Sequence, residues 1–563
     1  MDYFDLHVHP SLKGSLTREP DKYNAWKWVG IYPWGIGQLN RLKQVFNSQA
    51  NLTQLQNGTV FSVVALVAME KAFAGTYILQ KIIASRIVSP LSRRLLIEIV
   101  RGEKTYFSMF KKDLNHLLKA NTNGDFKILK EYRDHKPGKL NVILSVEGAH
   151  SFQDKNESSI IANLKTFKKK FRFHHLTLTH LTRQPACVHC FGVKMKMIVN
   201  MTPDINFRPD PKQKGISPLG EKIVHAAYDG TNSPIVLIDI KHMSYLSRKH
   251  FYKLRERNNW GHIPLIVSHA GVTGSKFSKA VIAEIKKGST DEECDEIFWC
   301  TIKSLSGTNF NPWTINLFDE DIEQVIKSKG MIGISLDERI LGFGRIFGEY
   351  MSKEEVKELQ LENQKGVCPA EQSPYGFNED EKIVRDFFED PDIQEIDEYE
   401  MTEDEENKLT LGPINEQDLS GDLLFDLDKK ENEEEEVKLT ISGNSHIDYL
   451  ACNILHIIKV GLHKKFDGTD GKPDVTNCIC LGSDLDGIVD AMNFPFKPND
   501  GSIDQKNWVT VDKYSELEDQ LKISMSKCLS HDYFFNSRTI DVPVLIRKVM
   551  YINGIEFLKT NFN

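Results

Sequence analysis

The chain has 563 residues, 40% hydrophobic and 27% charged, with nine cysteines and a formal charge of −8. This composition is ordinary for a globular protein. It excludes a small disulfide-stapled scaffold and a wholly disordered chain. The charge is uneven: Glu379 to Glu436 holds 25 acidic and five basic residues, a net of −20, which leaves the remainder near +12. No basic run interleaved with aromatics stands out, so no nucleic-acid partner is expected. The longest apolar run, Val60 to Met69, is too short to span a bilayer, so no membrane span is expected. No basic stretch followed by an apolar core opens the chain, and a cytoplasmic location is the default expectation.

The first element, MDYFDLHVHPS, reads as a strand from Tyr3 to Val8 that carries Asp5, His7 and His9 at or near its end. Side chains alternate along a strand, so His7 and His9 share a face. Two imidazoles on one face at a strand end suit a divalent metal such as zinc. A segment rich in glycine and aromatics then runs to Gly58, with Trp26, Trp28, Tyr32 and Trp34. It reads equally as a lid over the first strand or as an insertion with its own small core. Val60 to Met69 is the second buried strand, and helical pattern fills Phe73 to Leu118.

Asn141 to Val146 is the third apolar run and ends in Glu147, an acid that would be costly to bury without a partner. Phe173 to Thr179 is the fourth and ends in His180. A helix is expected within Gly215 to Tyr228, with Ser217 as N-cap and Pro218 in its first turn. Pro234 to Ile240 is the fifth strand, followed by His242, and Ile263 to Val267 the sixth, followed by His269. Gly330 to Leu336 is the seventh, with Asp337 at its end, and Cys478 to Leu481 the eighth, leading into Asp484 and Asp486. The pair Cys187 and Cys190 lacks a second half for a structural zinc site.

Eight continuous apolar runs alternating with helical stretches mark parallel strands covered on both faces. The expected fold is an α/β protein, a (β/α)8 TIM-type barrel, with a long insertion after the first strand and an acidic insertion before the last. Barrel enzymes place their chemistry at the C-terminal strand ends, where these polar residues cluster. An open doubly wound sheet explains that clustering less well. One discontinuous barrel domain is expected over 1–350 and 439–563, with 351–438 as an acidic, partly disordered insertion. Each histidine taken singly is most simply a satisfied core residue. His7, His9, His242 and His269 together are not, since each buried ring would need its own partners.

The segments FDLHVH, ILSVEGAHSF, LTLTHLTRQP, GISPLGEKIV, VLIDIKHMS, PLIVSHAG, INLFDEDIEQVIKSKGMIGIS and LGSDLDG stand in this order along the chain. With them the chain resembles the membrane (renal) dipeptidase family of zinc metallopeptidases, in the amidohydrolase superfamily. The resemblance implies two divalent metal ions, zinc by analogy, held by His7, Glu147, His242 and His269, with Glu147 as the bridge. His9 stands where the family has Asp, and as a ligand it resembles the H-x-H of other amidohydrolases. His180 falls where the family polarises the substrate carbonyl. Asp484, better than Asp486, falls on the acid near the bridging water.

The family's arginine that holds the substrate carboxylate has no counterpart near Ile315 and Asn316. Arg183, Arg339 and Arg345 are the stand-ins, and Arg183, three residues after His180, is favoured as a substrate-binding residue.

Two metal ions bridged by one carboxylate sit about 3.5–4 Å apart and hold a hydroxide that attacks an amide carbonyl. Asp484 would take up and return the proton. The expected substrate is a dipeptide or similar small amide. The alternatives are another amidohydrolase reaction on a lactone, cyclic amide or ester, and a non-catalytic metal-binding scaffold. The sequence leaves the oligomeric state open.

Overall fold

The computed structural model describes residues 2–32, 40–76, 78–86, 88–192, 207–342, 348–368, 445–494, 507–538 and 540–563. Arg345 and most of the acidic segment, 369–444, lie outside the described residues.

Eight parallel strands follow one another in chain order around a (β/α)8 barrel. They are β1 (Phe4–Val8), β2 (Phe61–Val67), β3 (Leu140–Glu147), β4 (Phe173–Thr177), β5 (Leu237–Asp239), β6 (Ile266–Ala270), β7 (Met331–Ile334) and β8 (Ile479–Leu481). Every residue of these strands is buried. Helices therefore cover the outer face while side chains fill the inner one, which is why most of the strands read as largely apolar runs. A short extra strand, Phe126–Ile128, adds to β3 on the outside of this path.

The ring closes between β8 and β1. The Asp484 amide donates to the His7 carbonyl at 2.9 Å, and the His9 amide to the Leu485 carbonyl at 3.0 Å. Asp5 fastens the same seam: its carboxylate accepts from the Ser483 and His7 amides and from the Tyr514 hydroxyl. Gly333 and Gly482 let β6 approach closely, since a Cβ there would meet the Ser268 carbonyl at 2.0 and 1.8 Å.

Helix Pro218–Tyr228 has the expected cap, with Ser217 Oγ accepting from the Gly220 amide at 3.0 Å. The helical pattern after β2 is broken into Lys71–Ala74, Ile78–Ile83, Arg93–Val100 and Tyr106–Ala120. The segment after β1 packs onto the barrel in its described part: Lys13 pairs with Asp486 at 2.9 Å, and the Gln49 and Ala50 amides bond the same carboxylate.

The chain does not leave the folded body at Met351. Glu349–Met351 pairs antiparallel with Asp295–Trp299, which pairs in turn with Ile282–Lys286. This three-stranded sheet has its own apolar cluster with Trp299, Phe277 and Phe318. Helix Lys353–Glu358 follows, and a disulfide joins Cys300 to Cys368. The other seven cysteines are free and buried. A cross-link of this kind is usual in oxidising compartments and rare in the cytosol. No helix among the described residues is long and apolar enough to cross a membrane.

Candidate metal centre

Seven side chains meet at the C-terminal mouth of the barrel. His7 and His269 lie within β1 and β6, and Glu147 is the last residue of β3. His9 stands just beyond β1. His180, His242 and Asp484 each stand three residues past the end of their strand. His242 and Asp484 adopt left-handed backbone conformations, φ 66° and 63°, which non-glycine residues seldom accept without a reason.

The Glu147 carboxylate is the hub. Its Oε1 lies 3.0 Å from His242 Nε2, 3.4 Å from His7 Nε2 and 3.7 Å from His269 Nε2. Its Oε2 lies 3.3 Å from His9 Nε2 and 3.6 Å from His180 Nε2. Asp484 closes the other side, with Oδ1 3.3 Å from His9 Nε2 and Oδ2 3.6 Å from His269 Nε2. Three overlapping groups follow, each with its ligand atoms within 4.8 Å of one another: His7, His9 and Asp484; His7, Glu147 and His269; Glu147, His180 and His242.

Exposure divides the seven. Glu147, His7, His9, His242 and His269 have side chains 1–4% exposed, whereas His180 and Asp484 reach 17% and 16%. The first five form a floor and the last two face the opening.

The electrostatics follow from burying acids among rings. Burial alone would raise Glu147, but the His180 and His7 charges hold it well below the ordinary carboxylate range. Burial alone would lower His9 and His180. The carboxylates beside them, Asp484 and Glu147 for His9 and Glu147 and Glu70 for His180, raise the two rings to about 10 and about 9. Burial pushes His242 down to about 3 and His269 well below its usual value.

The donor set fits divalent cations. His7 Nε2 and His9 Nε2 face each other at 3.1 Å, and neither atom has a carboxylate closer than 3.3 Å among the described residues. Imidazole nitrogens and carboxylate oxygens converging on one dry point suit zinc and its neighbours. His269 is oriented from behind by Ser268 Oγ at 2.9 Å from its Nδ1, as ligating histidines commonly are.

Other residues from the sequence reading sit elsewhere. Asp5 and Asp486 hold the β8–β1 seam and Lys13. Cys187 and Cys190 are buried free thiols outside the metal-binding groups. Arg183 donates from Nε to the Arg208 carbonyl at 2.9 Å and from Nη2 to the Pro209 carbonyl at 3.2 Å. It is not in the wall of the adjoining cavity, where Arg339 is. Asn316 has its amide spent on the Asn311 and Ile340 carbonyls and on the Gly271 amide.

Glu70 was missed. Its Oε2 lies 2.8 Å from His180 Nδ1, and its Oε1 accepts from Thr182 Oγ1 at 2.6 Å and Gln184 Nε2 at 3.2 Å. Burial would raise Glu70, yet the His180 charge holds it near 2. The signal was available: Glu70 stands three residues past β2, the offset shared by His180, His242 and Asp484.

Neither a protein-family model nor a curated protein matches the chain. Among solved structures, it is similar to a metallopeptidase from Rhodobacter sphaeroides liganded with a phosphinate mimic of the dipeptide L-Ala-D-Ala. That alignment has 11% identity and a TM-score of 0.45, and covers 100% of this chain and 99% of that one. A probable dipeptidase from Pseudomonas aeruginosa aligns at 12% identity and TM-score 0.43, over 91% of this chain and 88% of that one. An amidohydrolase from the same organism aligns at 11% and 0.39, over 90% and 91%. Similarity this low is a resemblance and no more. The barrel rests on its own strand order and the centre on its own distances.

Proposed function

We propose that the barrel mouth holds divalent metal ions, zinc first among candidates, and hydrolyses small amides such as dipeptides. One observation carries this reading: a single buried carboxylate, Glu147, faces five imidazole Nε2 atoms at 3.0–3.7 Å. A structural ion-pair network has no use for five rings around one acid, whereas a bridged pair of cations does. His7 and His9 would hold one ion, His242 and His269 the other, and Glu147 both. When bound, the ions supply Lewis acidity and a water activated near neutral pH.

The chain's own residues do the rest. His180, held by Glu70, offers Nε2 at the open side, where it can bond a substrate carbonyl. Asp484, across the mouth, can accept a proton from water and return it to a leaving amine.

A second reading is favoured by Asn316. Its side chain is fully buried and fully bonded where the dipeptidase resemblance would have a carboxylate-binding arginine. A substrate without a free carboxylate, such as a lactone, cyclic amide or ester, would need no such group. We read 1–350 and 439–563 as the catalytic body, joined at its small sheet by residues up to Cys368, with the acidic segment as an appendage.

Metal per chain, measured by mass spectrometry, and turnover across dipeptide and lactone panels test the reading. At least one tightly held divalent ion and chelator-sensitive hydrolysis of one panel are expected. A protein that binds no divalent metal after reconstitution overturns it.

A further inference from the structure

A cavity of about 150 Å³ opens directly beside His9, Glu147 and His180. Beyond the three catalytic-side groups its wall is mostly apolar, with Leu12, Phe46, Met69, Phe73, Leu79 and Ile488. A second chamber of about 20 Å³ lies behind it and shares Leu12, Phe46, Met69, Leu79 and Ile488 with the first. Its far wall adds Ile83, Leu91 and Leu96.

The charged groups of both walls are already engaged. Glu70 is bonded to His180 and Thr182. Arg339 Nε lies 2.9 Å from Asp337 Oδ1. Lys13 pairs with Asp486 and with the Val45 and Asn47 carbonyls. A polar or charged group entering here would lose its water and meet alkyl walls, which is costly.

The wall has a local origin in the sequence. Leu12 begins the short helix Leu12–Ser15 that follows His9, and Phe46 ends helix Asn40–Phe46. Met69 lies between β2 and Glu70, and Leu79 in the next turn, Ile78–Ile83. Thus the segment after β1 and the segment after β2 build the pocket together: Leu12 stands three residues past His9, and Met69 one residue before Glu70, which holds His180. An apolar cavity of about 150 Å³ is large enough for a benzene ring, and a small chamber without polar partners stays dry.

We infer, resting on the hydrolase reading above, that the substrate carries a bulky apolar group, aromatic or branched aliphatic, beside the scissile amide, seated between Leu12, Phe46, Met69 and Leu79. Its tip points at the inner chamber. Small or charged side chains at that position are disfavoured: the first leave the cavity unfilled and the second are desolvated without a partner. Each methylene that enters should tighten binding about fourfold, the equivalent of about 0.8 kcal/mol of transfer free energy.

Two measurements test this on the full chain. On metal-loaded protein, kcat/KM is compared for X-Gly and Gly-X dipeptides with X as Ala, Leu, Phe, Asp or Lys. In one of the two orders, Leu or Phe should exceed Ala by at least about tenfold, and Asp and Lys should fall below Ala. On chelator-treated protein, calorimetry compares N-acetyl-phenylalaninamide with N-acetyl-alaninamide, and the first should bind at least about tenfold tighter.

Leu79→Trp fills the junction of the two chambers and should shrink both ratios. Phe46→Trp, at a partly exposed position, serves the same end if the first variant does not fold. Ala equal to or better than Phe and Leu in both orders, or equal binding of the two amides, overturns the inference. No turnover of any dipeptide, with the binding preference intact, counts against the dipeptidase reading and leaves the pocket assignment standing.

Discussion

His180 Nδ1 lies 2.8 Å from Glu70 Oε2, while its Nε2 points at the Glu147 carboxylate 3.6 Å away. One ring is thus clamped from behind by an acid of β2's loop and presented to the metal centre from in front. The clamp fixes which nitrogen is free to meet a substrate. Glu70→Gln should therefore lower kcat about 10–100-fold, the usual cost of losing an orienting partner of this kind, with metal content unchanged. Stopped assays and metal analysis on the same preparation check it. An unchanged kcat means that the clamp is structural only.

Glu147→Gln keeps the shape of the hub and removes its charge. Three rings face Oε1 and two face Oε2, whereas Asp484 faces only His7, His9 and His269, so Glu147 touches more of the centre than any other group described. The variant should retain at least one metal ion fewer per chain than the parent. Full metal occupancy would show that Glu147 is not the bridge.

Asp484→Asn tests the proton carrier. Its carboxylate is partly exposed and its backbone is held in the left-handed region, so the amide should occupy the same place. A fall in kcat of about 10²–10⁴-fold with KM little changed is expected for loss of a general base. Loss of metal instead would make Asp484 a ligand beside His7 and His9.

Arg339 and Arg183 are both spent on protein partners. Arg339 borders the cavity but its guanidinium is held by the Asp337 carboxylate, and Arg183 is held by the Arg208 and Pro209 carbonyls. Arg339→Ala should therefore shift KM alike for dipeptides with a free carboxylate and for their amides. Arg183→Ala should lower the melting temperature and shift KM equally for both substrates. A carboxylate-selective KM effect in Arg183→Ala alone would restore Arg183 as the clamp.

Acid stability should depend on His174. Burial, with Arg172 nearby, pushes this ring down from 6.5 to about 3, and it packs edge-on against Phe557. Below pH 6.5 the unfolded chain takes up a proton that the folded ring refuses, so stability falls with pH through the window from 6.5 to about 3. His174→Phe removes this group from the balance. Its acid unfolding midpoint, followed by circular dichroism, should move to lower pH relative to the parent measured at neutral pH. A midpoint that stays in place or moves up would assign the acid sensitivity to other groups.

Several features of this site could be read before any coordinates. The eight strands were visible because barrel strands are buried on both faces, so Val60 to Met69 and Asn141 to Val146 are mostly apolar, broken only by Ser62, Asn141 and Ser145, and carry no charged residue until the strand ends. The polar residue that follows then stands out against that run, as Glu147, His180, His242 and Asp484 do. Glu70, directly after Met69, obeys the same rule.

Other features had no such signal. The sheet of Ile282–Lys286, Asp295–Trp299 and Glu349–Met351 mixes polar and apolar residues, and its last strand pairs with a segment about fifty residues earlier. Cys300 and Cys368 are 68 residues apart, and nothing local couples them. Arg183 lies on a loop, where no period fixes the direction of a side chain, so its spacing from His180 did not reveal its partners.

By itself the sequence determined the barrel and most of the groups at its mouth, because both follow from local pattern: strands buried on both faces read as largely apolar runs, and ionisable residues stand at or just past their ends. Only the tertiary structure decided how those groups are shared. The closing bonds between β8 and β1 bring Asp484 over His9, the ring of strands points five imidazoles at one carboxylate, and loops from β1 and β2 build an apolar wall beside them. These are contacts between residues tens to hundreds of positions apart, and their distances are set by the closure of the barrel rather than by any stretch of chain.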